Sequence, residues 1–166
     1  MFPQRDNSKR ACPLQIGVLG ASACKPDIEE LAYQVGAEIA RQGAVLLCGG
    51  LGGVMEAAAR GAREHGGTTV GILPGLSAEE ANPFIDLRIV THIGHARNVV
   101  LVRSSDAVIA VSGGYGTLSE IAIALKIGIP CIGLRTWDLG LELVSAREPV
   151  EAVRLAMEKI RERGVL

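Results

Sequence analysis

Four stretches of this sequence have residue types and spacings suited to holding a charged small molecule. They are Gly20-Ala-Ser22, Gly49-Gly-Leu-Gly-Gly53, Arg97-Asn98 and Ser112-Gly-Gly-Tyr-Gly-Thr-Leu-Ser-Glu120. Glycine lets a backbone approach a ligand closely and accepts positive φ. The start of a helix offers unpaired N–H groups at the positive end of its dipole, which favours a phosphate or another anion. A glycine cluster between a strand and a helix combines both properties, and two such clusters occur here. On this reading Gly20, Ser22, Gly49, Gly50, Gly52, Gly53, Gly113, Gly114, Tyr115, Gly116 and Thr117 form phosphate-binding turns, with hydroxyl contacts from Ser22 and Thr117.

The charged residues nearby each have two readings. Thr117-Leu-Ser-Glu120 has capping-box spacing, and a Glu120 that reaches back to the turn accounts for both residues. A ligand-facing Glu120 could instead polarise a water or stabilise positive charge developing on a sugar. Arg97 is either a solvated helix arginine or a bidentate clamp for a phosphate or carboxylate. His95 could act as a base, although a structural histidine is the plainer reading. Asp106 reads as a cap or turn residue. The named nucleotide motifs fail: there is no GxGxxG and no GxxxxGK[ST]. Gly20-Ala-Ser22-Ala-Cys24 begins like GxSxG, but Cys24 stands where the second glycine belongs.

The elements that must position these residues follow from the apolar pattern. Short apolar runs predict strands at 15–19, 44–48, 68–73, 87–90, 107–111 and 130–134. Helical spacing predicts helices from Pro26 to about Gln42, over 54–64, over about 95–104 and over 118–127. A last amphipathic helix carries Val150, Val153, Met157 and Ile160. Residues 76–84 read as a loop in which Ser77 and Glu80 could cap a short helical turn. The alternation predicts a Rossmann-like, doubly wound parallel sheet in a three-layer α/β/α sandwich, with ligands at the carboxyl ends of the strands. Residues 1–13 read as a flexible leader and 14–166 as a single ligand-binding domain. The 118–127 helix is apolar almost all round, so it is either central or part of a subunit interface; the second case implies a homo-oligomer, a dimer or tetramer.

Composition narrows the function. A formal net charge of -1 argues against bulk binding of nucleic acid or anionic membrane, and 3% aromatics leave few platforms for base stacking. Cys12, Cys24, Cys48 and Cys131 have no CxxC spacing and no partner histidines, so no protein-ligated metal is expected and the cysteines read as core residues of a reducing, cytoplasmic setting. Arg5, Lys9 and Arg10 before the apolar 13–24 stretch mimic a signal peptide, but Gly17 and Gly20 break that stretch and the same residues make a good first strand and turn. No run is long enough to span a membrane.

The stretch from Ser112 to Glu120, preceded by Arg97-Asn98, resembles the signature of the LOG-like superfamily, PGGxGTxxE preceded by an arginine motif. Its members were long labelled lysine decarboxylases. The resemblance covers about residues 14–135 and implies that Arg97 and Glu120 are site residues, catalytic ones in the hydrolase branch. That branch holds cytokinin-activating phosphoribohydrolases, which cleave a nucleoside 5′-monophosphate into free base and ribose 5-phosphate. Another branch resembles molybdenum-cofactor carrier proteins and their bacterial relatives, which bind a phosphate-bearing pterin. Here Ser112 replaces the proline, Asn98 the usual lysine and Ser119 a frequent second acid. The stretch from Gly49 to Gly61, with Arg97-Asn98 and Gly116-Thr-Leu-Ser-Glu120, looks closer to the carrier branch. The resemblance thus implies a binding protein for molybdenum cofactor or a related phosphorylated pterin or nucleotide, with a phosphoribohydrolase as the alternative.

Overall fold

The computed structural model describes residues 12–164; most of the expected leader lies outside them. Seven strands form one all-parallel sheet. They are β1 (Gln15–Leu19), β2 (Val45–Cys48), β3 (Thr69–Leu73), β4 (Leu87–Val90), β5 (Ala107–Val111), β6 (Cys131–Leu134) and β7 (Val144–Ala146), in the order β4-β3-β2-β1-β5-β6-β7. The helices are α1 (Pro26–Arg41), α2 (Val54–Glu64), α3 (Arg97–Ser104), α4 (Tyr115–Ile127) and α5 (Pro149–Glu162).

Strand β5 shows how the layers are sorted. Successive side chains of a strand point to opposite faces. Ala107, Ile109 and Val111 join the core beneath α1, α2 and α5, while Val108 and Ala110 join the core beneath α3 and α4. All five are fully buried, as a central parallel strand covered on both faces requires. The expected Rossmann-like three-layer sandwich is therefore the observed fold. The chain winds outward from β1 to β4, then crosses back to β5 beside β1. This reversal leaves a crevice between the turns that follow β1 and β5, because those turns lead to helices on opposite faces.

Two boundaries and one strand differ from the pattern-based reading. Helix α4 starts at Tyr115, not at residue 118, because Gly114 is its N-cap and the Tyr-Gly pair continues into the helix. Helix α3 starts at Arg97, after a separate 3-10 turn at Gly94–Ala96. Strand β7 was not foreseen. Val-Ser-Ala is too short and mixed to signal a strand, and it forms only because the edge of β6 offers it a ladder. The capped turn at Ser77 and Glu80 is present, with both halves of its capping box made.

Helix α4 is not central. It packs in an outer layer on Ile121 and Ala124, leaving Leu118, Ile123, Leu125 and Ile127 only half-buried. Apolar side chains are also exposed on edge strand β4 (Leu87, Ile89) and on α3 (Val99, Val100). No helix among the described residues is long and apolar enough to cross a membrane.

Candidate functional site

A cavity of ≈ 270 Å³ occupies the β1/β5 crevice. Gly20, Ala21 and Ser22 from the turn after β1 line one side. Gly49, Leu51 and Met55 form a partly apolar second wall. His95, Arg97 and Asn98 enter from the start of α3, and Gly114, Gly116, Thr117 and Glu120 from the start of α4. Segments from four separate parts of the chain thus meet where the sheet reverses its winding.

Arg97 is buried, with 8% of its surface exposed. The reading of it as a solvated helix arginine therefore fails. One Nη donates a hydrogen bond to the Ile72 carbonyl at the end of β3, at 2.8 Å. The guanidinium crosses directly over Gly49, where any Cβ would collide with it. Gly49 is thus required for the arginine's passage as well as for approach to a ligand. The Nε of Arg97 is buried and has no hydrogen-bond partner. A buried charged donor without an acceptor is costly, and native structures hold few of them. Burial pulls the guanidinium below its ordinary pKa, while the nearby Glu120 charge acts to raise it.

Glu120 does not cap its helix. Gly114 is the N-cap of α4 and no side chain caps it, so Thr117 lies in the first turn instead of at the cap, and Glu120 lies beyond that turn. The carboxyl is 7% exposed and lines the same cavity as Arg97. Burial pushes it up to about 7, and Arg97 partly offsets that rise. Cys48, behind the cavity wall, is pushed up to about 11 by burial and stays a protonated thiol.

Residues outside the glycine turns hold those turns in place. Asn82 is buried and donates from Nδ2 to the carbonyls of Gly50 (3.3 Å) and Leu51 (2.8 Å), while its Oδ1 accepts from the Phe84 amide. The Thr136 hydroxyl donates to the Ser112 carbonyl at 2.6 Å, and the Trp137 indole N–H to that of Gly114 at 3.3 Å. Each tie draws a carbonyl of a site turn onto neighbouring structure. The first turn of α4 meanwhile has no side-chain cap on its amides. Asn82, Thr136 and Trp137 were not singled out from the sequence. Asn82 alone left a local signal, as an Asn-Pro pair in a loop. Ser112, the position where the resembling signature has proline, sits at φ 50, and its amide donates to the Leu134 carbonyl at 3.0 Å. Proline can adopt neither that φ nor that hydrogen bond.

Among the residues read as phosphate-binding, the cavity collects Gly20, Ser22, Gly49, Arg97, Gly114, Gly116, Thr117 and Glu120. Gly50, Gly52 and Gly53 shape the second turn without lining it. At Gly53, φ is 59 and a Cβ would press on the backbone of the first turn at 2.5 Å from the Ala21 carbonyl oxygen. Gly113 faces a neighbouring cavity. Tyr115 is 84% exposed and lies against Trp137, with ring centroids 5.9 Å apart. His95 and Asn98 are also at the site, and Asn98 reaches the Ser119 hydroxyl at 3.4 Å. Asp106 accepts from the Gln15 amide at 2.8 Å and ties β5 to β1.

Two measurements check this geometry. Ser112→Pro lowers thermal and denaturant stability by more than about 1 kcal/mol, whereas Ser112→Gly keeps or raises it, since only glycine takes a left-handed φ without strain. Glu120 holds its proton more tightly folded than unfolded, so its contribution to stability is greatest at acid pH and falls as pH rises from about 4.5 through about 7. Glu120→Gln is therefore more stable than the parent at pH 8 by roughly 2–3 kcal/mol, an advantage that vanishes by pH 4 in urea melts.

With this geometry established, comparison with known proteins places the chain. A model of the SLOG cluster 4 family matches residues 13–162. A cytokinin riboside 5′-monophosphate phosphoribohydrolase of Mycobacterium tuberculosis is 42% identical over 156 residues, 82% of this chain and 83% of that protein. The molybdenum cofactor binding protein of Rippkaea orientalis superposes with a TM-score of 0.87 at 39% identity, covering 91% of this chain and 99% of that one. The molybdenum cofactor carrier protein of Chlamydomonas reinhardtii gives 0.83 at 35% identity, covering 90% and 99%. The SLOG match spans nearly the whole chain and agrees with the Arg97 and Ser112–Glu120 motifs, so this protein belongs to the SLOG cluster 4 family.

Proposed function

We propose that this chain binds a phosphate-bearing small molecule, molybdenum cofactor or a related phosphorylated pterin or nucleotide, as a carrier or store. The observation that carries the reading is Arg97 itself, a buried guanidinium that lines the cavity and whose Nε has no hydrogen-bond partner. A phosphate presents several acceptor oxygens to a guanidinium and to helix N-terminal amides at once. The Ser22 and Thr117 hydroxyls stand on the same cavity. Leu51 and Met55 supply apolar surface for a flat ring. Molybdenum would arrive inside its pterin, so the chain need supply no ligand to it. Among the described residues no group of three or more His, Cys, Asp or Glu could hold a metal ion. The likeness to the Rippkaea and Chlamydomonas proteins supports the same ligand class. A cytoplasmic location and a single binding domain over 14–166 belong to this reading.

A second reading is favoured by Glu120. A carboxyl held near 7 in a cleft is suited to taking a proton from water or orienting it at neutral pH. The reaction would be hydrolysis of the N-glycosidic bond of a nucleoside 5′-monophosphate. Arg97 would hold the phosphate or ribose, and Glu120 would orient the water or stabilise the oxocarbenium-like sugar. Water would add at the anomeric carbon as the base leaves with a proton.

Native mass spectrometry of freshly purified protein, followed by incubation with AMP and chromatography for adenine, separates the two. The expected result is a bound pterin or molybdenum species with no adenine released. Adenine release that is lost in Glu120→Ala overturns the carrier reading in favour of the hydrolase. We also propose a homo-oligomer, dimer or tetramer, built on the exposed apolar side chains of β4 and α3 and the half-buried ones of α4. Light scattering is expected to give at least twice the chain mass, and a monomer at micromolar concentration refutes it.

A further inference from the structure

Arg97 and Glu120 are buried side chains of opposite charge that line one cavity, yet among the described residues they form no ion pair. Glu120 makes no side-chain hydrogen bond either, and Arg97 donates to the Ile72 carbonyl while its Nε stays without a partner. A buried polar side chain is costly while it lacks a partner. Two such groups that share a space without meeting leave room for a third group that bonds to both.

The phosphate reading of the cavity decides what Glu120 does there. A guanidinium suits an oxygen-rich anion. An ionised carboxyl only accepts hydrogen bonds, and beside a phosphate it meets a like charge in a site withdrawn from water. A protonated carboxyl has an O–H to donate to a phosphate oxygen. The other groups around Glu120 leave that proton to it. The Cys48 thiol at the end of β2 is held near 11 and stays neutral. Of the strands under α4, β5 has no titratable side chain and β6 has only Cys131, pushed up to about 12 by burial. Arg103 is exposed at the far end of α3, and Lys126 is exposed in the last turn of α4. The turn after β1 and the start of α2 line the cavity with Ser22 and Met55, which do not titrate. His95 lines it from the 3-10 turn before α3 and is exposed.

We propose that the site takes up its phosphate-bearing ligand together with one proton, with Arg97 and the protonated Glu120 carboxyl both donating to the phosphate. This assignment rests on the phosphate reading given above. The proton comes from solvent onto a carboxylate oxygen, and no bond of the ligand is made or broken. The empty site holds Glu120 at about 7, so above that pH most molecules must gain a proton as the ligand enters. Affinity therefore declines as pH rises, and the ligand is kept at neutral pH and let go at alkaline pH.

Flavin mononucleotide suits the test. Its ring contains a pteridine, it has no N-glycosidic bond to cut, and the second ionisation of its phosphate, near about pH 6, is nearly complete by pH 7. Calorimetric titration of the full chain is expected to show affinity falling at least about twentyfold from pH 7 to pH 9, as the protonated fraction of Glu120 falls. At pH 8, titrations in buffers of different ionisation enthalpy are expected to show about one proton taken up per ligand. Glu120→Gln is neutral at every pH and still donates from its amide. That variant is expected to bind within about threefold of one affinity from pH 7 to pH 9, to take up no proton, and to exceed the parent at least about tenfold at pH 9. A parent affinity that is flat with pH overturns the proposal. So does a pH dependence that survives in Glu120→Gln, which assigns it to His95, or a variant that binds more weakly than the parent at pH 9, which makes the carboxylate an acceptor. Each of these leaves the phosphate reading standing. If neither flavin mononucleotide nor AMP binds at any pH, the phosphate reading falls and the proton linkage with it.

Discussion

The architecture of this site depends on a guanidinium kept out of water. Arg97 is buried where the sheet reverses its winding, with one donated bond to Ile72 and an Nε that finds no acceptor. Desolvating a cation costs several kcal/mol unless acceptors surround it. The surrounding structure is arranged around that cost. Strand β3 ends so that a carbonyl points at the arginine. Gly49 has no side chain where the guanidinium passes. Glu120 supplies a carboxylate within electrostatic reach. The Nε remains without a partner, and the same residue lines the cavity between the turns after β1 and β5.

A second constraint concerns the direction of the backbone. A glycine turn can present either its carbonyls or its amides, and the two have opposite charge. Here side chains from remote loops claim the carbonyls. Asn82 takes those of Gly50 and Leu51, Thr136 that of Ser112, and Trp137 that of Gly114. The start of α4 therefore lies open to a ligand with its amides uncapped. Ser112 shows the same pattern, since a strained backbone is held in place with both its amide and its carbonyl tied.

Carrier and hydrolase ask different things of one pair of residues. A carrier needs Arg97 for the phosphate and can leave Glu120 protonated, a neutral hydrogen-bond donor beside an anion. A hydrolase needs the same carboxyl ionised at the moment water attacks. A carboxyl held near 7 by burial sits between these states at neutral pH. A bound phosphate adds negative charge to the cavity and favours the protonated form, which suits retention over turnover.

Much of this was legible along the chain. Apolar runs of four or five residues mark β1 to β6, glycine clusters mark the turns, and the family-like motif marks Arg97 and Glu120. These are local or short-spaced signals, and the physics behind them is local. What the tertiary structure alone decided was of longer range. It moved the start of α4 to Tyr115, so that Thr117 falls in the first turn and Glu120 beyond it, and the two make no capping box. It brought Asn82, Thr136 and Trp137 onto carbonyls 23 to 32 residues away in sequence. It added β7 against a strand edge that no three-residue pattern could announce. Spacing reports which face of an element a residue occupies. Burial, with the desolvation that moves Glu120 and Arg97 from their ordinary pKa values, arises only when separate elements close over the same volume.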